Sequence, residues 1–120
     1  MNKTKEDTER EVIYYDKLVR DKIPEIIEAS GKKCVIEIAD DETYERKLEE
    51  KLQEELDEYL ETKDIAELAD LVEVVRALLT LRGMAYQELS ELRQRKLEER
   101  GGFVGRVMLR IVCSEDGQET

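Results

Sequence analysis

Apolar positions recur at helical spacing through most of the chain. Tyr44, Leu48, Leu52, Leu56, Tyr59 and Leu60 fall on one stripe at 100° per residue, which predicts an amphipathic helix from Asp41, read as its cap, to about Glu61. A second helix is predicted from Asp64 to about Arg82. It carries two apolar rows, Ile65, Leu68, Val72, Val75 and Leu79 on one side and Leu71, Val74, Leu78 and Leu81 on the other. A helix apolar nearly all round needs cover on more than one face, so a second subunit is expected against it. A third helix runs from about Ala85 to Arg100, with Ala85, Leu89 and Leu92 inward, and Gly101-Gly102 ends it. Ahead of these, Pro24 in the first turn predicts a short helix capped by Asp21, with Ile23, Ile26 and Ile27 inward and Gly31 at its end.

Two stretches alternate with period two instead. Residues 33–38 (KCVIEI) and 103–113 read as a pair of strands, with 12–15 as a third candidate, giving a small β element beside a helical body. Residues 1–10 and 114–120 are polar and read as tails of a single domain spanning 1–120.

Several acidic residues break the apolar pattern from inside. On the helical wheel Glu55 falls between Tyr44 and Leu48, within the stripe, and Glu58 lies at its margin. Glu67 and Asp70 continue an apolar row of the second helix toward its start. The break at residues 61–64 is a tight turn between antiparallel helices. Residues equidistant from its centre then lie level, Glu58 with Glu67 and Glu55 with Asp70, each pair summing to 125. Four carboxylates brought together in this way repel one another, and a divalent cation relieves the repulsion. Glu54 projects away from the stripe. Lys96 and Arg100, spaced i to i+4, fall on the inner face of the last helix and supply cations to the same chemistry. Lys17, Arg20 and Lys22 make a cation-dense segment, readable either as further phosphate contacts or as partners for carboxylates.

Composition narrows the chemistry. With 31 Asp+Glu against 20 Lys+Arg, the formal charge is -11, which argues against a nucleic-acid polymer or an anionic membrane as partner. The absence of histidine excludes imidazole zinc sites and Ser-His or Cys-His nucleophiles. An all-oxygen site favours Mg²⁺, Mn²⁺ or Ca²⁺. Cys34 and Cys113 lack metal-ligand spacing and are expected reduced and buried, as in a cytoplasmic protein. The most apolar run, residues 68–81, holds Asp70, Glu73 and Arg76 and falls short of the ~20 residues a membrane span requires. Four inward carboxylates with cations nearby are what hydrolysis of a polyphosphate requires.

The acidic set Glu54-Glu55-x-x-Glu58 and Glu67-x-x-Asp70, followed by Lys96-x-x-x-Arg100, resembles the all-α NTP pyrophosphatase superfamily. These are the MazG-like proteins, which include phosphoribosyl-ATP pyrophosphohydrolase and dimeric dUTPases. The opening YDKLVRDKIPEII and the ending KLEERGGF resemble a branch of small house-cleaning members. The resemblance implies an all-α helical hairpin or bundle, assembled as a homodimer or homotetramer. It also implies hydrolysis of a nucleoside triphosphate to monophosphate and pyrophosphate. Mg²⁺ would sit on Glu55, Glu58, Glu67 and Asp70, Lys96 and Arg100 would contact the phosphates, and Glu54 or Glu55 would activate water. Phosphoribosyl-ATP hydrolysis and a non-catalytic helical interaction module are the alternatives. Arg93 stands where the family often has an asparagine, three residues before its lysine.

Overall fold

A computed structural model describes residues 12–117 of the chain; the expected tail at 1–10 and the last residues, 118–120, lie outside them. The described residues are mainly helical: α1 (Ile23–Ala29), α2 (Asp41–Thr62), α3 (Ile65–Leu81) and α4 (Tyr86–Arg100). The chain divides into two units, Met1–Met84 and Ala85–Thr120. No helix is long and apolar enough to cross a membrane among the described residues.

The first unit is built on the α2/α3 hairpin. Asp40, not Asp41, caps α2: its carboxylate accepts from the Thr43 amide at 2.8 Å, and Asp41 is the first helical residue. Two successive aspartates offer the same cap chemistry one residue apart, and the backbone uses the earlier one. At the other end Lys63 takes the left-handed conformation, with φ 59°, and its amide bonds to the Tyr59 carbonyl at 2.7 Å. Thr62 Oγ1 donates to the Glu58 carbonyl and accepts from the Asp64 amide, while the Asp64 carboxylate caps α3 through Ala66 N at 3.0 Å. The two-residue connection is therefore fully hydrogen-bonded and short, which fixes the helices antiparallel. Arg82 Nη2 donates to Glu45 Oε1 at 2.7 Å and ties α3 to α2 at the far end.

The hairpin buries little. Leu48 is the one buried apolar side chain of the described residues, at 3% exposure, and Tyr44, Leu52 and Tyr59 of its stripe are half-buried. On α3 no residue is buried, and Ile65 and Val72 stay 71% and 44% exposed. The helix that the sequence marks as apolar on two sides is thus half-covered on both rows, with Ile65 and Val72 left open.

Helix α1 is capped one residue after the predicted position. Lys22 occupies the cap position without a side-chain bond, Pro24 lies in the first turn, and Ile26 points to solvent rather than inward. The amide of Ile23 bonds to the carbonyl of Arg20 at 3.0 Å, so a backbone turn does the work expected of Asp21. No strand forms among the described residues: residues 103–106 close a turn in which the Arg106 amide bonds to the Phe103 carbonyl at 3.1 Å, and Val35, Ile38, Phe103 and Val107 are largely open. An extended chain becomes a strand only with a ladder partner, which alternation by itself does not supply. Cys34 is half-buried and Cys113 exposed, both free, so the expectation that both are buried does not hold.

Candidate metal and phosphate site

Four carboxylates converge where the hairpin narrows toward its turn. The i to i+3 spacing puts Glu55 and Glu58 on one face of α2, and Glu67 and Asp70 on one face of α3. The turn sets them level. Oxygens of Glu55, Glu67 and Asp70 lie within 4.8 Å of one another, near enough to share one divalent cation at the ~2.0–2.6 Å that oxygen ligands adopt. Glu58 stands beside both Glu55 and Glu67 and helps to raise both of their carboxyls. Opposing Glu58 to Glu67 and Glu55 to Asp70 is the register expected from a tight turn.

Glu55 is the centre of the strain. It is 7% exposed, and its Oε2 has no hydrogen-bond partner. Burial pushes its carboxyl above the ordinary range, and the contact with Glu58 and the charges of Glu58 and Asp70 push it further, with Lys51 pulling the other way. Glu67 is raised as well, first by desolvation and then by Glu58, Asp70 and Glu55. An orphaned buried oxygen, an all-oxygen donor set and mutual repulsion are what a hard dication neutralises, so these residues fit Mg²⁺ or Mn²⁺.

Cations surround the cluster on its outer side. Arg20 Nη2 donates to Asp70 Oδ1 at 2.6 Å. Lys17 Nζ donates to Glu54 Oε1 at 3.4 Å, and Lys51 reaches Glu54 at 3.5 Å and Glu55 at 3.6 Å. Glu54 is therefore held between two lysines at the edge of the cluster, outside the triad. Of the two readings of the cation-dense segment, the structure pairs Lys17 and Arg20 with carboxylates at and beside the site; Lys22 lines the adjoining cleft. That cleft, of about 670 Å³, lies between residues 17–23 and the hairpin, and Leu18, Tyr44, Leu48 and Val74 form its apolar wall.

Lys51 and Glu73 also line it, and the sequence reading passed over both. Their positions carried a signal, since Lys51 stands one turn before Glu55 and Glu73 one turn after Asp70. Lys96 and Arg100 belong to the second unit. There they lie one turn apart near the end of α4, both exposed, rather than on a buried inner face of that helix. No protein-family profile, no curated protein sequence and no solved structure matches the chain.

Proposed function

We propose that the protein is a Mg²⁺-dependent nucleoside triphosphate pyrophosphohydrolase, working on noncanonical or surplus nucleotides in the cytoplasm. One observation carries the reading. The hairpin brings Glu55, Glu58, Glu67 and Asp70 together around a buried carboxylate oxygen that has no partner of its own. Glu55, Glu58, Glu67 and Asp70 would hold the cation, with Mn²⁺ as an alternative to Mg²⁺. When bound, it neutralises phosphate oxygens and lowers the pKa of a coordinated water.

The chain's own groups do the rest. Glu54 or Glu55 accepts the proton of the attacking water. The oxygen of that water bonds to the α-phosphorus, the bond from α-phosphorus to the bridging oxygen breaks, and its electrons leave with pyrophosphate. Lys22 in the cleft wall receives the charge that develops on the leaving group. The resemblance to MazG-like proteins and the acidic geometry support each other, because the level pairing follows from a turn that the motif spacing alone does not specify.

The open positions of α3 support assembly as a homodimer or homotetramer. Val72 and Ile65 stand open on a helix whose sequence is apolar on two sides, and a second copy of the same hairpin would cover them.

The test is incubation with Mg²⁺ and a panel of canonical and modified nucleoside triphosphates and phosphoribosyl-ATP, assaying monophosphate and pyrophosphate. Release is expected for the wild type and is lost in Glu55→Gln and Asp70→Asn. Silence across the panel from a protein that binds Mg²⁺ would overturn the enzymatic reading.

A further inference from the structure

Residues 16–23 cross the mouth of the acidic cluster as a strap. Lys47 moors one end, donating to the Asp16 carbonyl at 2.8 Å and to its carboxylate at 3.3 Å. At the other end the strap runs into α1, where the Arg20 carbonyl is fixed by the Ile23 amide at 3.0 Å. Between these points the Arg20 side chain reaches Asp70, a member of the triad, in an ion pair of 2.6 Å. The carbonyl of Arg20 is therefore held on the strap, while its side chain reaches out to Asp70 through an open ion pair.

From this geometry we infer that Arg20 is the resident counter-ion of the site: it pairs with Asp70 while no divalent cation is bound, yields that carboxylate when one is, and turns to the phosphates of the substrate. The inference rests on the metal reading above and adds to it a role for the strap. Two observations carry it. First, Arg20 and a cation would claim the same carboxylate, since the triad draws on Asp70 for one of its oxygens. Second, the pair is easily opened: the Arg20 and Asp70 side chains are 57% and 39% exposed, and ion pairs so open to water contribute little net stability. Arg20 also has somewhere to go. It lines the 670 Å³ cleft with Lys17, Lys22 and Lys51, and with the carboxylates of Asp21, Glu55, Asp70 and Glu73, so a guanidinium released from Asp70 stays in the cleft, where its planar fork can bind two oxygens of a phosphate held there by the cation.

A permanent strut would behave differently. Removing a strut weakens the cluster and the metal site with it, whereas removing a competitor strengthens cation binding.

The experiment is calorimetric titration of the full chain with Mn²⁺, and of the Mn²⁺-loaded protein with inorganic pyrophosphate, for wild type and Arg20→Gln. Arg82→Gln serves as the control, because it removes an equally short ion pair and the same charge at the far end of the hairpin. Circular dichroism verifies that each variant is folded. Arg20→Gln is expected to bind Mn²⁺ about two- to tenfold more tightly than wild type, as loss of a weak competitor requires. Its affinity for pyrophosphate should fall about tenfold or more, the usual effect of losing a charged hydrogen bond. Arg82→Gln should change neither by more than about twofold. Unchanged or weaker Mn²⁺ binding by folded Arg20→Gln, or equal tightening in the control, would overturn the counter-ion role. Unchanged pyrophosphate affinity would overturn the transfer to phosphate. A wild type that binds no Mn²⁺ would instead overturn the metal reading, and this inference with it.

Discussion

Replacing Glu55 by glutamine should make the metal-free protein more stable. Glu55 shares a 4.8 Å cluster with Glu67 and Asp70, and unit charges that far apart repel by about 0.9 kcal/mol in bulk water and about 3.5 kcal/mol at an effective dielectric near 20. Glu55 faces both neighbours from a buried position, while Lys51 at 3.6 Å and the hold of Arg20 on Asp70 offset part of the repulsion. The expected gain for Glu55→Gln without metal is about 1–3 kcal/mol at pH 8.

The pH dependence follows from the direction of the shift. The folded pKa of Glu55 lies above its ordinary value of 4.5, so the stability associated with its protonated form is fully present below 4.5 and is lost as pH rises through the folded pKa. Wild type and variant should thus converge at acid pH and separate as the solution becomes neutral. Urea denaturation in EDTA at several pH values, at one fixed protomer concentration, measures the separation. Adding Mg²⁺ should reverse the order, because wild type gains the binding free energy that the amide largely forfeits. A Glu55→Gln protein less stable than wild type in EDTA at pH 8, or stabilised by Mg²⁺ as much as wild type, would refute the reasoning.

Leu48→Ala should destabilise the protein by about 2–4 kcal/mol in the same urea assay. Its side chain is the one deeply buried apolar group of the described residues, and the adjoining cleft, which admits water, favours the lower end of that range. Asp40→Ala should lower the thermal midpoint at pH 7. Hydrogen bonds from the Thr43 backbone and side chain hold the Asp40 carboxyl below 3.8, so its contribution is present above the unfolded value and is lost as pH falls through the lowered folded pKa. The difference between variant and wild type in thermal melts should therefore vanish in strong acid. Val72→Glu, placed at an open position of α3, should shift sedimentation equilibrium toward monomer while leaving the far-ultraviolet circular dichroism of the dissociated chain helical.

The hairpin was legible because its signals are local. Leu48 and its stripe follow helical spacing, the apolar rows mark a second helix from about Asp64, and the level pairing of Glu55 with Asp70 is arithmetic on a short turn. What could not be read depends on partners. Residues 33–38 and 103–113 alternate like strands, but alternation says only which side chains share a face. Asp40 and Asp41 are chemically equivalent as caps, and only the backbone angles choose between them. Arg20 was visible as one of a group of cations, yet its contact with Asp70 spans 50 positions and depends on how the strap returns over the hairpin. Lys51 stands one turn before Glu55, but spacing alone does not say which charges face the cluster. The apolar rows of α3 were legible as a pattern, while their cover depends on packing, which leaves Ile65 and Val72 open and the other row positions half-buried.

Local rules agree with the fold through most of the hairpin: caps sit at both helix starts, the turn is fully bonded, and Leu48 packs where its stripe points. They are broken at two places. Glu55 brings an unpaired oxygen into the interior, and α3 leaves Ile65 and Val72 open to water. Each departure costs stability as the chain stands, and under the proposed function each would be relieved by something outside the single chain, a cation in the first case and a second copy in the second. The two costs have different signatures. The first depends on pH and on divalent cations at any protein concentration; the second depends on protomer concentration with EDTA present or absent. If Mg²⁺ stabilised the chain only by driving its association, a Val72→Glu monomer would gain nothing from the ion. If Glu55 and its neighbours form a metal site within one hairpin, as the placement of the triad on α2 and α3 requires, that monomer will still gain stability from Mg²⁺, and Glu55→Gln will abolish the gain.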